Sequence, residues 1–162
     1  MGIGNSARSW VGCVVAAGAC LSCSALEGGS TGHHDWRIEP HHVSVFLGDT
    51  LEEGENGATV GLDYEYRVSD LLGLGAVAER AEGDVEATTV LAVADIHITP
   101  QFIVQTGPGW EERKREDFLV YRVGVLYEWV FDNGMTLSPQ LHYDMTDEED
   151  AVVFGIAIGR NF

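Results

Sequence analysis

The sequence predicts an all-β protein: an eight-stranded antiparallel up-and-down transmembrane β-barrel over residues 41–162. Three observations carry this. Eight stretches of roughly ten residues alternate bulky apolar side chains with small or polar ones, the period of a strand and the length that crosses a bilayer at a tilt. Turn signals separate them, alternating between short, tight signals and longer, acid-rich stretches. The apolar face gathers aromatic residues toward strand ends, whereas the opposite face carries glycines and charges of both signs.

The first strand is expected over 41–48, with Val43, Val45 and Leu47 on one face and His42, Ser44 and Phe46 on the other. The second, 58–69, alternates Val60, Leu62, Tyr64 and Tyr66 with Gly61, Asp63, Glu65 and Arg67. The third, 71–80, sets Leu72, Leu74, Ala76 and Ala78 against Gly73, Gly75, Val77 and Glu79. The fourth, 88–99, sets Val90, Ala92, Ala94 and Ile96 against Leu91, Val93, Asp95 and His97. The fifth, 101–106, is short: Phe102 and Val104 oppose Gln101, Ile103 and Gln105. The sixth, 118–131, places Tyr121, Val123, Val125, Tyr127 and Trp129 opposite Arg122, Gly124 and Glu128. The seventh, 135–146, places Leu137, Leu141 and Tyr143 opposite Ser138, Gln140, His142 and Asp144. The eighth runs to Phe162, with Val152, Phe154, Ile156 and Ile158 opposite Val153, Gly155, Ala157 and Gly159.

Tight turns are expected at 69–70, 99–100 and 132–134, where Asn133-Gly134 is a strong hairpin signal. Long loops are expected at 49–57, 81–87, 107–117 and 147–150. Short turns at one end and long loops at the other is the outer-membrane pattern, with the short end periplasmic.

Residues 1–25 read as a secretory signal peptide: Arg8 supplies the charge, 10–21 is an apolar run too short for a spanning helix, and Cys23-Ser24-Ala25 offers small residues for cleavage. Residues 26–40 lack periodicity and read as a flexible periplasmic lead-in. All three cysteines, Cys13, Cys20 and Cys23, fall in the leader, so cleavage after Ala25 leaves no thiol chemistry. Lipidation at Cys20 or Cys23 is the alternative, though neither has a large aliphatic residue three positions earlier.

The formal net charge is −17, and loss of Arg8 with the leader makes it −18. Lys114 is the one lysine. This excludes nucleic acid as a partner, since phosphate contacts need Lys and Arg. A soluble barrel would alternate as well, with its apolar face inward. Here the glycines and paired charges suit a crowded lumen, and the aromatic residues suit two membrane interfaces, so the apolar face is assigned outward.

The run Phe154-Gly155-Ile156-Ala157-Ile158-Gly159-Arg160-Asn161-Phe162 resembles the C-terminal recognition signal of bacterial outer-membrane barrels, with Phe154, Ile156, Ile158 and Phe162 as its apolar positions. Residues 41–162 as a whole resemble the small OmpA/OmpX-like and porin-like eight-stranded outer-membrane proteins. That resemblance implies the bacterial outer membrane as location. It also implies outer-membrane lipids, lipopolysaccharide and the barrel-assembly machinery as partners. Such families hold anchors, adhesins, small pores and lipid-A enzymes, so the fold fixes no activity.

Candidate chemistry is sparse. His33, His34, His41 and His42 with Asp35 and Glu39 form a histidine-rich stretch suited to Zn²⁺ or Cu²⁺, but no second cluster completes a site, and no metal or other cofactor is expected. His42 and Ser44 share a strand face in the manner of a hydrolase pair. They point inward, away from lipid, and are expected to be lumen residues rather than catalytic ones. The inward polar set is Asp63, Glu65, Arg67, Glu79, Asp95, His97, Arg122, Glu128, Gln140, His142 and Asp144. In a barrel this narrow such residues fill the lumen, with Arg67 and Arg122 neutralising neighbouring carboxylates. The outer loops are acidic, and Arg113-Lys114-Arg115 forms a basic island suited to lipid phosphates. The expected function is a non-enzymatic structural or surface-interaction role. A narrow porin-like pore is the alternative, and a lipid-A-modifying enzyme a more distant one.

Overall fold

A computed structural model of the chain describes residues 39–113 and 116–162. The expected leader over 1–25, nearly all of the 26–40 lead-in, His33, His34 and Asp35, and the pair Lys114 and Arg115 lie outside the described residues.

Nine hydrogen-bonded strands form one antiparallel sheet: β1 (His41–Glu52), β2 (Glu55–Arg67), β3 (Leu72–Gly83), β4 (Ala87–His97), β5 (Phe102–Arg113), β6 (Glu116–Tyr127), β7 (Trp129–Val130), β8 (Met135–Met145) and β9 (Ala151–Asn161). The neighbour order is β6-β5-β4-β3-β2-β1-β9-β8-β7, and a β6–β8 pairing closes the ring. β6 and β7 are one stave. The β6–β8 pairs end at Leu126↔Gln140, and the β7–β8 pairs resume at Trp129↔Leu137 in the same register. The gap lies at Pro139, which has no N–H to give to the ladder. A second gap in the β4–β5 ladder, between Leu91↔Gly109 and Ala94↔Thr106, lies at Pro108 and also leaves the register unshifted. The barrel is therefore eight staves, with no edge left along its length except where strands outrun their partners.

Burial alternates along every stave. The outward rows are exposed and apolar: Leu47 and Leu51 on β1, Leu62 and Tyr66 on β2, Leu141 on β8, Ile156 and Ile158 on β9. The inward rows are buried and largely polar, with apolar clusters of Val77, Leu91, Val93 and Val120, and of Phe46, Val153 and Ala157, inside the barrel. An exposed apolar surface of this extent is unfavourable in water and favourable against acyl chains.

The lower rim holds the three turns joining β2 to β3, β4 to β5 and β7 to β8, and also the β1–β9 seam. There His41 N donates to Phe162 O (3.2 Å) and Phe162 N to His41 O (2.9 Å). The His41 ring stacks on Phe162 with centroids 5.5 Å apart and lies 2.8 Å through Nδ1 from the Tyr64 hydroxyl.

The upper rim departs from the expected long loops. β1 and β2 are joined by Glu53 and Gly54 alone, both with positive φ (44° and 95°), the conformation of a two-residue hairpin turn that follows strand twist. β3 and β4 are joined by 84–86, β5 and β6 by 114–115, and β8 and β9 by 146–150. The stretches expected to be loops at 49–57 and 107–117 are mostly strand. β5 in particular runs to Arg113 rather than stopping at Thr106. Acidic residues there alternate as strand residues do, with Glu52 and Glu111 buried inward and Glu112 exposed.

Candidate functional site

The lumen is the one interior that chemistry could use, and each inward side chain reaches it because its strand alternates. Glu65 and Arg67 on β2, Asp95 and His97 on β4, and Glu128 between β6 and β7 occupy the lower half. Glu79 on β3, Arg122 on β6 and Asp144 on β8 occupy the middle. Small residues seat the larger ones: a Cβ at Gly124 would strike the His142 ring directly opposite on β8, and one at Gly73 would strike the Glu65 carboxylate.

The middle is closed by Arg122, whose side chain is fully buried. Its guanidinium donates from Nε to Asp144 Oδ1 (2.7 Å) and from Nη2 to Asp144 Oδ2 (2.6 Å). It also donates from Nη1 and Nη2 to the two oxygens of Glu79 (2.8 and 2.6 Å). Asp144 is its direct partner across the β6–β8 pair, whereas β3, which carries Glu79, pairs with neither strand. Two bidentate forks on one cation fix both geometry and charge, and in so dry a site they must be complete to be tolerated.

The lower half is organised differently. Gln105 Nε2 donates to Asp63 Oδ2 (3.3 Å) and to Asp95 Oδ1 (3.0 Å), so two carboxylates share one neutral amide. His97 Nε2 lies 2.8 Å from Glu65 Oε1, which also accepts from Arg67 Nε (3.2 Å). His42 Nε2 is 2.9 Å from Thr136 Oγ1 and 3.5 Å from Glu128 Oε2. Ser44 Oγ, Asp63 Oδ1, His97 Nδ1 and His142 Nδ1 are buried without a protein partner. Gln140 Oε1 lies 3.0 Å from His142 Nε2, and the His142 ring meets the Phe46 ring edge-on at 6.3 Å.

The upper mouth contains residues that the sequence reading assigned to loops. Arg113 is turned into the barrel, where it binds Glu52 on β1 and Glu111 on β5 and lies 3.6 Å from Glu149 in 146–150. Arg113 is thus not part of a lipid-facing basic island: parity turns it inward with Glu111, and three carboxylates hold it there. Thr89 donates to Glu111 (3.0 Å), and Thr50 and Thr59 share a hydrogen bond of 2.7 Å. Gln105, Glu52, Glu111 and Arg113 were absent from the expected polar set. Continuing the alternation from Gln105 through Gly107 and Gly109 would have reached Glu111 and Arg113.

Between these levels lie two small cavities, each of about 10 Å³, the space of one water centre. One lies under the Arg113 mouth beside Thr50, Thr89 and Glu111, and the other beside Asp63, Asp95 and Glu128. Among the described residues no group of three or more His, Cys, Asp or Glu is arranged to hold a metal ion. His42 and Ser44 face the lumen, and no hydrogen bond joins them. Phe154, Ile156 and Ile158 lie on the outward face of β9, and Phe162 follows it, exposed at the lower rim.

No protein-family model and no curated protein matches this sequence. Solved structures do. The N-terminal β-barrel domain of OprF from Pseudomonas aeruginosa is 16% identical with a TM-score of 0.63, covering 75% of this chain and 97% of that one. The outer-membrane protein Ail of Yersinia pestis, in a phospholipid bilayer nanodisc, is 13% identical with a TM-score of 0.50, covering 75% and 99%. A de novo designed transmembrane β-barrel is 18% identical with a TM-score of 0.52, covering 73% and 94%. Identities this low speak to architecture alone. The chain has the fold of the small eight-stranded outer-membrane β-barrels.

Proposed function

We propose that this protein is an exported, non-enzymatic barrel of a Gram-negative outer membrane, with a structural or surface-interaction role and its upper rim facing outward from the cell. The observation that carries this reading is the combination of an apolar outer wall with a lumen obstructed at three levels, by Arg113, by Arg122 and by the Glu65–His97 layer. A wall of this kind needs a bilayer, and a filled interior passes nothing larger than water. The partners this reading implies are outer-membrane lipids and lipopolysaccharide around the wall, and the assembly machinery acting through β9 with Phe154, Ile156, Ile158 and Phe162.

The filled lumen counts against the pore alternative. The inward position of His42 and Ser44 counts against lipid hydrolysis, because an acyl ester outside the barrel has no route to them. Two measurements test the proposal. Membrane fractionation should place the protein in the outer membrane. Purified protein reconstituted in planar bilayers should give no discrete conductance steps. Stepwise openings that change on Arg122→Ala substitution would replace the anchor reading with a pore, and an altered lipid A profile in cells making the protein would replace it with an enzyme.

A further inference from the structure

One stretch of backbone at the upper rim is left without a partner. β6 pairs with β5 over its whole length, from Arg113↔Glu116 to Phe102↔Tyr127. On its other side it pairs with β8 only from Tyr121↔Met145 downward. Continued upward, the same register would set 116–120 against 146–150. That segment instead closes on itself: Thr146 Oγ1 donates to Glu149 O (2.6 Å) and accepts from the N–H groups of Glu148 (3.4 Å) and Glu149 (3.0 Å). Among the described residues no backbone hydrogen bond joins 116–120 to 146–150. Alternate residues of 116–120 therefore present N–H and C=O groups sideways.

An open strand edge accepts another strand, and the surrounding charge selects which. Glu116 and Asp117 lie on the edge itself, with Asp147, Glu148 and Asp150 opposite, all exposed. Over residues 112–117 and 146–150 the sequence holds seven acids against three bases, a net charge of −4. Pairing with a second copy of the chain would bring two such rims together, and like charges across a strand pair are destabilising.

We propose that the upper edge of β6, residues 116–120, is a strand-addition site for an extended, lysine- or arginine-bearing segment of a partner protein. This rests on the surface-interaction reading above and names the chemistry of the partner. Main-chain hydrogen bonds supply the register, and the acidic rim supplies the preference for a basic strand.

The test uses the full barrel in detergent micelles and a fluorescent eight-residue peptide alternating lysine and valine. Two further versions are N-methylated at alternate amides, one at the odd positions and one at the even. The unmodified peptide is expected to bind, one methylated version at least about tenfold more weakly, and the other nearly unchanged, because one side only of the added strand meets the edge. Amide exchange should slow on binding at the alternate residues of 116–120 whose N–H groups face the edge, and not at those already bonded to β5. Glu116→Gln with Asp117→Asn should weaken binding by about two- to fivefold without altering the barrel's heat-dependent gel shift. Equal binding by all three peptides means charge attraction alone and overturns the proposal, as does no binding by the unmodified peptide. Neither result touches the outer-membrane reading, which fractionation tests separately.

Discussion

In the upper half of the lumen, each deeply buried carboxylate has an arginine within reach: Glu52 and Glu111 have Arg113, and Glu79 and Asp144 have Arg122. In the lower half, Asp63 and Asp95 have one carboxamide between them, and Glu65 and Glu128 depend partly on histidines. Four inward carboxylates share two arginines, Arg113 and Arg122, in the upper half and four share Arg67 alone in the lower half, so the excess of carboxylates over arginines is larger below. The difference assigns the two halves different work. The upper half is cross-linked by charge-assisted forks that span the barrel. The lower half is packed but electrostatically incomplete, and substitutions that remove charge should act there in the opposite direction.

The strongest break in this contrast is Arg122→Ala. It strands Glu79 and Asp144 in a dry interior, and the expected loss is about 3–5 kcal/mol, read as a fall in the urea midpoint of the reconstituted barrel. The triple variant Arg122→Met, Glu79→Gln, Asp144→Asn should recover most of that loss, because no uncompensated charge remains. A triple variant as unstable as Arg122→Ala would show that packing, not charge, holds the layer.

The wall supplies the next contrast. Leu62→Arg, outward on β2 and flanked by Val60 and Tyr64, should cost about 2–4 kcal/mol in lipid, the range for a cation on the lipid face near the bilayer midplane. An effect within experimental error for Leu62→Arg would mean that this row meets water.

Smaller effects should follow at the mouth. Arg113 is partly exposed, so Arg113→Ala should cost only about 1 kcal/mol. Its signature is local: faster amide exchange in 146–150 and at the Glu53-Gly54 turn, with β4 unchanged. The smallest effect separates the halves most sharply. Asp95→Asn keeps an acceptor for Gln105 and removes an ionisable group from beside Asp63, so the urea midpoint should stay level or rise, by at most about 1 kcal/mol. A loss as large as that of Arg122→Ala would show the lower half to be charge-paired as well.

Which side chains share a face is plain in the sequence, because a period of two assigns every residue of a strand once a few are placed. Leu62, Tyr64 and Tyr66 against Asp63, Glu65 and Arg67 leave little choice. Strand ends at the upper rim were not legible. There Glu52, Glu55, Glu111 and Glu112 have loop composition, and only their inward or outward neighbours show that the ladder continues. Pro108 lies inside the stretch expected as a loop: proline is unfavourable in a central strand, yet here it removes ladder bonds without ending β5. The lumen contacts were legible only in part. Arg122 and Asp144 face each other in register, but the meeting of Arg122 with Glu79, or of Arg113 with Glu52, depends on how far the strands are staggered around the cylinder, which alternation does not encode.

The central claim is that the bulky apolar row faces hydrocarbon and the polar row a filled interior. The chain from residue 26 onward has no cysteine, so a single cysteine at Leu62 can carry a nitroxide in the liposome-reconstituted barrel. High accessibility to oxygen and little to a water-soluble nickel chelate is the predicted result. The reverse order, with the chelate colliding freely at Leu62, would contradict the account.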